Sequence, residues 1–222
     1  MEYRKLPYVI TGTGRSGTTF LAHAFLNGGY DLGKVDTEKI GKGSRPVGGG
    51  LECSDFLKIN NLLLNRMRKG QAIEEIALEL ESVFHDRFPA VIKDPLYALT
   101  GPIWHAAGYR PKHVFICMRK LQPTRKSYRK AFGNDTYIHF NIEGVYALLE
   151  ECTRLDIPVT PIAFPRIGQD QHYAQKVLAP FFSDPWAVVQ QTWNDELPQE
   201  QTDEKAEERL IVSALPDAPC AQ

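Results

Sequence analysis

Four short apolar runs stand out along the chain, opening at Tyr8 and covering 90–92, 114–118 and 158–164. Runs of this length without in–out alternation read as strands buried on both faces. Pro161 marks the last as an edge or imperfect strand, because it lacks the N–H a central ladder needs. Between the runs, apolar residues recur at helical spacing. Phe20, Leu21, Ala24 and Phe25 form one face of a helix that stops at Asn27-Gly28-Gly29. Phe56, Ile59, Leu63 and either Leu64 or Met67 form the buried face of a helix over 54–69. Further helices are expected over 72–87, 100–107, from near Pro123, and over 141–155, 169–182 and 185–193. Strands alternating with helices predict an α/β fold: a parallel β-sheet flanked by helices on both faces. Right-handed crossovers then bring the carboxyl ends of the strands to one side.

Two stretches do not fit this alternation. Residues 30–51 carry Gly33, Gly41, Gly43 and Gly48-Gly49-Gly50. The segment is too long for a simple connection and too polar for the core, which predicts a binding loop or lid. From Asp195 the chain turns acidic and apolar-poor. The expectation is one domain over 1–195 and a poorly ordered tail over 196–222.

The chemistry concentrates after the first strand, in Tyr8-Val-Ile-Thr-Gly-Thr-Gly-Arg-Ser-Gly-Thr-Thr-Phe20. A strand, a glycine-rich turn and a helix start gather backbone N–H groups that favour an anion. Gly12, Gly14 and Gly17 let the backbone approach a phosphate, and Ser16, Thr18 and Thr19 add hydroxyls. The spacing nearly matches the nucleotide-binding pattern G-x-x-x-x-G-K-[ST], with Thr18 in place of the lysine. That lysine serves γ-phosphoryl transfer, whereas the only cation in this loop is Arg15. The loop is therefore read as a phosphate or sulfate site.

A second segment, from Lys112 through Arg119 and Ser127 to Lys130, points the same way. Arg119 follows the 114–118 strand, at the edge where open α/β sheets bind ligands. A guanidinium there can grip a phosphate through two parallel hydrogen bonds. Ser127 lies on the next helix and can face the same anion.

These residues carry a family resemblance. The loop Arg15-Ser-Gly-Thr-Thr19 resembles the 5′-phosphosulfate loop (K/R)-S-G-T-T of the sulfotransferases, P-loop-like α/β enzymes that use 3′-phosphoadenosine-5′-phosphosulfate (PAPS). Arg119 and Ser127, eight residues apart, resemble that family's 3′-phosphate pair. Lys93-Asp94-Pro95, after the 90–92 strand, resembles its strand-end Lys-x-Pro segment. The resemblance implies a P-loop NTPase-like sulfotransferase fold and an enzyme that moves the sulfuryl group of PAPS to a hydroxyl or amine acceptor by in-line displacement. It implies that Gly14 through Thr19 hold the 5′-phosphosulfate, that Arg119 and Ser127 hold the 3′-phosphate, and that Lys93 assists departure of the nucleotide. No metal is required.

The general base is less determined. Where small-molecule sulfotransferases place a histidine, two residues after the lysine, this chain has Pro95. Other members use a glutamate after the first helix, which makes Glu52 the first candidate, with Asp36, Glu38 and Asp94 as alternatives. His23 is read as structural and His105 is left open. A small-molecule or glycan-like acceptor is expected to meet the 31–51 loop, with Lys42 and Arg45, and aromatic surface from Tyr97 and Trp104. Arg166 would add a cation near the nucleotide.

Composition narrows the alternatives. With 222 residues, 43% hydrophobic and 24% charged, the chain reads as a soluble globular protein. A formal net charge of −1 excludes a general nucleic-acid or acidic-membrane binder. Cys53, Cys117, Cys152 and Cys220 show no metal-ligand spacing. The first residues form no apolar leader, and no run reaches the roughly 18 apolar residues of a membrane span, so a cytoplasmic location is expected. Two competing readings stay open. A P-loop kinase is opposed by Thr18, although Ile92-Lys93-Asp94 partly imitates a magnesium-binding strand end. A nucleotide-binding module without catalysis is compatible with the undetermined base.

Overall fold

A computed structural model describes residues 3–35, 50–83 and 88–196. Strands β1 (Arg4–Gly12), β2 (Val91–Lys93), β3 (Tyr109–Arg119) and β4 (Val159–Phe164) form a four-stranded, wholly parallel sheet in the order β2-β1-β3-β4. Helix α1 (Thr18–Asn27) follows β1, and α2 (Ser54–Arg68) and α3 (Ile73–Val83) precede β2. Helix α4 (Tyr97–Ala106) leads to β3, and α5 (Leu121–Phe132) and α6 (Ile138–Arg154) lead to β4. The described chain finishes with α7 (Arg166–Gln169), α8 (Gln171–Leu178) and α9 (Pro185–Glu196).

The apolar runs locate the strands but not their full lengths. β1 and β3 reach back beyond their runs because Arg4, Lys5 and Leu6 pair with Tyr109, Arg110 and Pro111. Alternate residues of β3 then serve opposite layers. Val114 and Ile116 join Val9 and Ile92 under α2, α3, α4 and α6. Phe115 and Cys117 join Ile10 and Ile162 under α1, α8 and α9. Each large apolar side chain buried this way contributes about 1.5–3 kcal/mol. Helices on both faces therefore hold the sheet edge that carries the site.

β4 lies at the border of the sheet, as Pro161 predicts. The Pro161 carbonyl and the Ala163 N–H point away from β3 and meet the Tyr173 hydroxyl at 3.2 and 2.9 Å. The missing N–H of Pro161 thus costs no ladder bond, and a side chain covers an otherwise open edge. The helix expected over 169–182 is instead α7 and α8, parted at Asp170. That residue has extended backbone and accepts a capping bond from the Tyr173 N–H at 2.9 Å.

Helix α4 begins three residues earlier than expected and accommodates Pro102. Its aromatic residues correct an expectation: Tyr97 and Trp104 are wholly buried and offer no surface to an acceptor. Trp104 stacks on Phe56, with centroids 4.6 Å apart, and its Nε1 donates to Asn60 Oδ1 at 2.8 Å. Aromatic area of that size, with its one polar atom satisfied, favours the core.

The strand order places a topological switch between β1 and β3. The chain leaves β1 toward β2 on one side and leaves β3 toward β4 on the other. The crevice outside the carboxyl ends of such a strand pair is where open α/β sheets bind ligands. Gly12 ends β1 and Arg119 ends β3. Among the described residues, no helix is long and apolar enough to cross a membrane.

Candidate functional site at the sheet edge

The β1–α1 connection has a backbone that few sequences can adopt. Gly14 and Gly17 have φ of 69° and 95°, and between them Arg15, a non-glycine residue, has φ of 52°. A side chain at position 17 would also place its Cβ 2.5 Å from the Phe164 ring. Gly17 is the N-cap of α1, and no side chain caps the helix there. The first-turn N–H groups are left available to an anion. Ser16 is fully buried, and its Oγ has no hydrogen-bond partner among the described residues. A buried orphan hydroxyl costs about 1–3 kcal/mol. A bound phosphate or sulfate would supply the missing acceptor.

Helix α5 docks against this loop. Arg15 Nε donates to Ser127 Oγ at 2.9 Å. The structure therefore joins the glycine loop to the serine that follows Arg119, 112 residues away in the chain. Arg119 pairs with Phe164 in the sheet register, and its guanidinium lies 5.5 Å from the Phe164 ring centroid. Phe164 is thus the shared wall between Gly17 and Arg119. Thr18 is buried at the start of α1, and Thr19 follows it.

On the other flank, β2 contributes Lys93, which pairs with Ile10 of β1 and is only 2% exposed. Its Nζ donates to Glu52 Oε1 and, at 2.9 Å, to the Gly50 carbonyl. Glu52 remains partly accessible. It is aimed by Leu51, which is wholly buried in a left-handed conformation, φ 60°, and by Cys53, the N-cap of α2, whose backbone pairs with Val35. A buried ammonium requires such a partner, since isolated burial of a charge is prohibitive.

Asp94 follows Lys93 in sequence but faces inward. It is 1% exposed, and it accepts from Asn60 Nδ2 at 2.7 Å and from the Leu96 N–H at 2.8 Å. Burial raises its carboxyl to about 6, and the Glu52 charge adds to that; the two hydrogen bonds and Lys93 work against it. Asn60 completes the network by accepting from Thr100 Oγ1 at 2.9 Å and from Trp104.

The remaining candidates have the following partners among the described residues. Arg166 is tied to Asp170 at 2.8 Å and lies over the Tyr173 ring. His105 is buried, which lowers its pKa to about 4, and its Nε2 meets the Tyr97 hydroxyl at 3.0 Å. Asp36, Glu38, Lys42 and Arg45 lie outside the described residues, as do Cys220 and the tail from 197. Among the described residues there is no group of His, Cys, Asp and Glu suited to a metal.

Sequence reasoning missed three polar residues around this site. Asn60 carries a readable signal: an amide on the apolar face of α2, one turn after Phe56 and just before Leu63. Tyr128 and Asn141 carry none, since their partner, the Thr13 carbonyl, is reached only through tertiary packing. No protein-family model matches the chain, and no curated protein matches it.

Proposed function

We propose that the protein is a sulfotransferase of P-loop-like α/β architecture that takes PAPS as co-substrate and transfers its sulfuryl group to a hydroxyl or amine of a small-molecule or glycan-like acceptor. The observation that carries this reading is the meeting of two candidate anion-binding segments, the 14–19 loop and the Arg119–Ser127 segment, at one switch point through the Arg15–Ser127 hydrogen bond. A ligand with negative charge at two ends, as on a 3′,5′-bisphosphorylated nucleoside, matches that pair.

The donors fit such a group. The α1 N–H groups and the Ser16, Thr18 and Thr19 hydroxyls suit the 5′ anion, and Arg119 with Ser127 suits the 3′-phosphate. Bound there, the nucleotide supplies an SO3 group, whose sulfur–oxygen bond to phosphate breaks as one to the acceptor oxygen forms. Lys93 supports the negative charge left on the departing bisphosphate. Glu52 takes the acceptor's proton, leaving a sulfate ester and a protonated carboxyl. The Lys93–Glu52 ion pair keeps both groups at one place on the β2 flank. Asp94, enclosed by Asn60 and Leu96, acts as support for Lys93.

Calorimetric titration with 3′-phosphoadenosine-5′-phosphate, alongside ATP with magnesium, tests the site. Tight binding of the first and weak binding of the second is expected, and the reverse order would favour a kinase. Transfer of labelled sulfate from PAPS to an acceptor library tests the reaction. Binding without transfer to any acceptor would favour a non-catalytic module.

A further inference from the structure

The anion loop has a second attachment to the α5–α6 pair, distinct from Arg15. The Tyr128 hydroxyl donates to the Thr13 carbonyl at 2.6 Å. Asn141 Nδ2 donates to the same carbonyl at 3.2 Å and to the Tyr128 oxygen at 2.6 Å. Tyr128 is 6% exposed, and its ring packs on Phe132 with centroids 5.3 Å apart. The two side chains form a closed triangle on a single carbonyl oxygen.

That carbonyl belongs to the Thr13–Gly14 peptide. In a trans peptide the C=O and the following N–H point in opposite directions. Fixing Thr13 O against α5 and α6 therefore fixes the Gly14 N–H facing the other way. Gly14 is left-handed, φ 69°, and glycine offers little torsional resistance to a peptide flip. A flipped peptide would turn a carbonyl oxygen to where the loop presents donors, and that oxygen would repel an anion. Gly14 also allows the contact to exist, since a Cβ there would come within 2.6 Å of the Tyr128 oxygen.

We propose that Tyr128 and Asn141 are positioning residues that lock the Thr13–Gly14 peptide so that the Gly14 N–H stays an anion donor before any ligand arrives. The proposal rests on the loop being an anion site and specifies how that site is preorganised. Neither residue needs to touch the ligand.

The test uses Tyr128→Phe, which removes one oxygen and keeps the ring, with Asn141→Ala as the second variant and thermal melting as a check on folding. Affinities are measured for 3′-phosphoadenosine-5′-phosphate and for adenosine 3′-monophosphate, which lacks the 5′ anion. Each variant is expected to weaken the first by tenfold or more and to leave the second within about twofold, since the donor put out of place is one to a charged group. Equal loss for both ligands, or no loss for either, overturns the proposal. Inorganic phosphate followed at the Gly14 amide resonance separates this question from the identity of the nucleotide. If the bisphosphate fails to bind the unaltered protein, the nucleotide reading falls. The positioning role still stands if phosphate shifts the Gly14 resonance and the Tyr128→Phe protein needs tenfold more of it. A Gly14 amide indifferent to phosphate and nucleotide, or responding alike in both proteins, overturns the proposal.

Discussion

On the β1–β3 side of the sheet edge, the site is made mostly of backbone. Left-handed residues at 14, 15 and 17 shape the loop, a helix start supplies N–H groups, and α5 braces the loop through Ser127 and Tyr128. On the β2 side it is made of two opposite charges, Lys93 and Glu52, drawn from positions 41 residues apart and set against a buried polar network. If an anion binds on the first side, several donors share it, so losing one costs about tenfold rather than all affinity. The second depends on each member, because removing one leaves its partner charged in a poorly solvated place. On the proposed function, binding is thus distributed and proton and charge handling is concentrated.

The sharpest way to break this contrast is Glu52→Gln. As the proposed base it should lower turnover by about 10²–10⁴-fold, while affinity for the bisphosphate nucleotide stays within a few-fold. Unchanged turnover would remove Glu52 from the reaction. Lys93→Ala comes next, with a turnover loss of about 10²–10³-fold and a smaller loss of nucleotide affinity, since its contact strengthens as charge develops. Equal losses in both would make Lys93 a binding residue like those of the other flank.

Asp94 offers a smaller effect, read by stability. Its folded value of about 6 lies above the unfolded value near 3.9, so the fold favours the protonated form. The contribution of Asp94 is therefore complete below about pH 4 and is lost as pH rises through about 6, a change of about 3 kcal/mol at most. Urea unfolding of the unaltered protein and of Asp94→Asn at pH 4.5 and 7.5 should show wild-type stability, relative to the variant, falling with pH. A constant difference would mean that the carboxyl is ionised throughout. The mildest change is Arg119→Ala, expected to weaken 3′-phosphoadenosine-5′-phosphate by about tenfold while sparing adenosine 5′-phosphosulfate. Loss of both alike would detach Arg119 from the 3′ end and place it with the loop.

Much of this arrangement was legible in the chain for local reasons. Buried parallel strands announce themselves as apolar runs, and the three glycines between a strand and a helix announce a tight turn with positive φ. The place of Arg119 at the end of β3 was readable because an apolar run fixes where the strand stops. Tyr97 and Trp104 were misjudged, because nothing local reveals that Asn60 waits inside the core to satisfy the indole N–H.

By itself, the order of residues determined the α/β layering, the approximate carboxyl ends of the strands and the glycine turn, since periodicity and backbone freedom act over a few neighbours. The tertiary structure alone decided that Glu52 meets Lys93, that Asp94 points inward, and that Tyr128 and Asn141 converge on Thr13. Those outcomes depend on contacts across 34 to 128 residues of chain. Burial and hydrogen-bond satisfaction, not local propensity, select among the orientations a side chain has available.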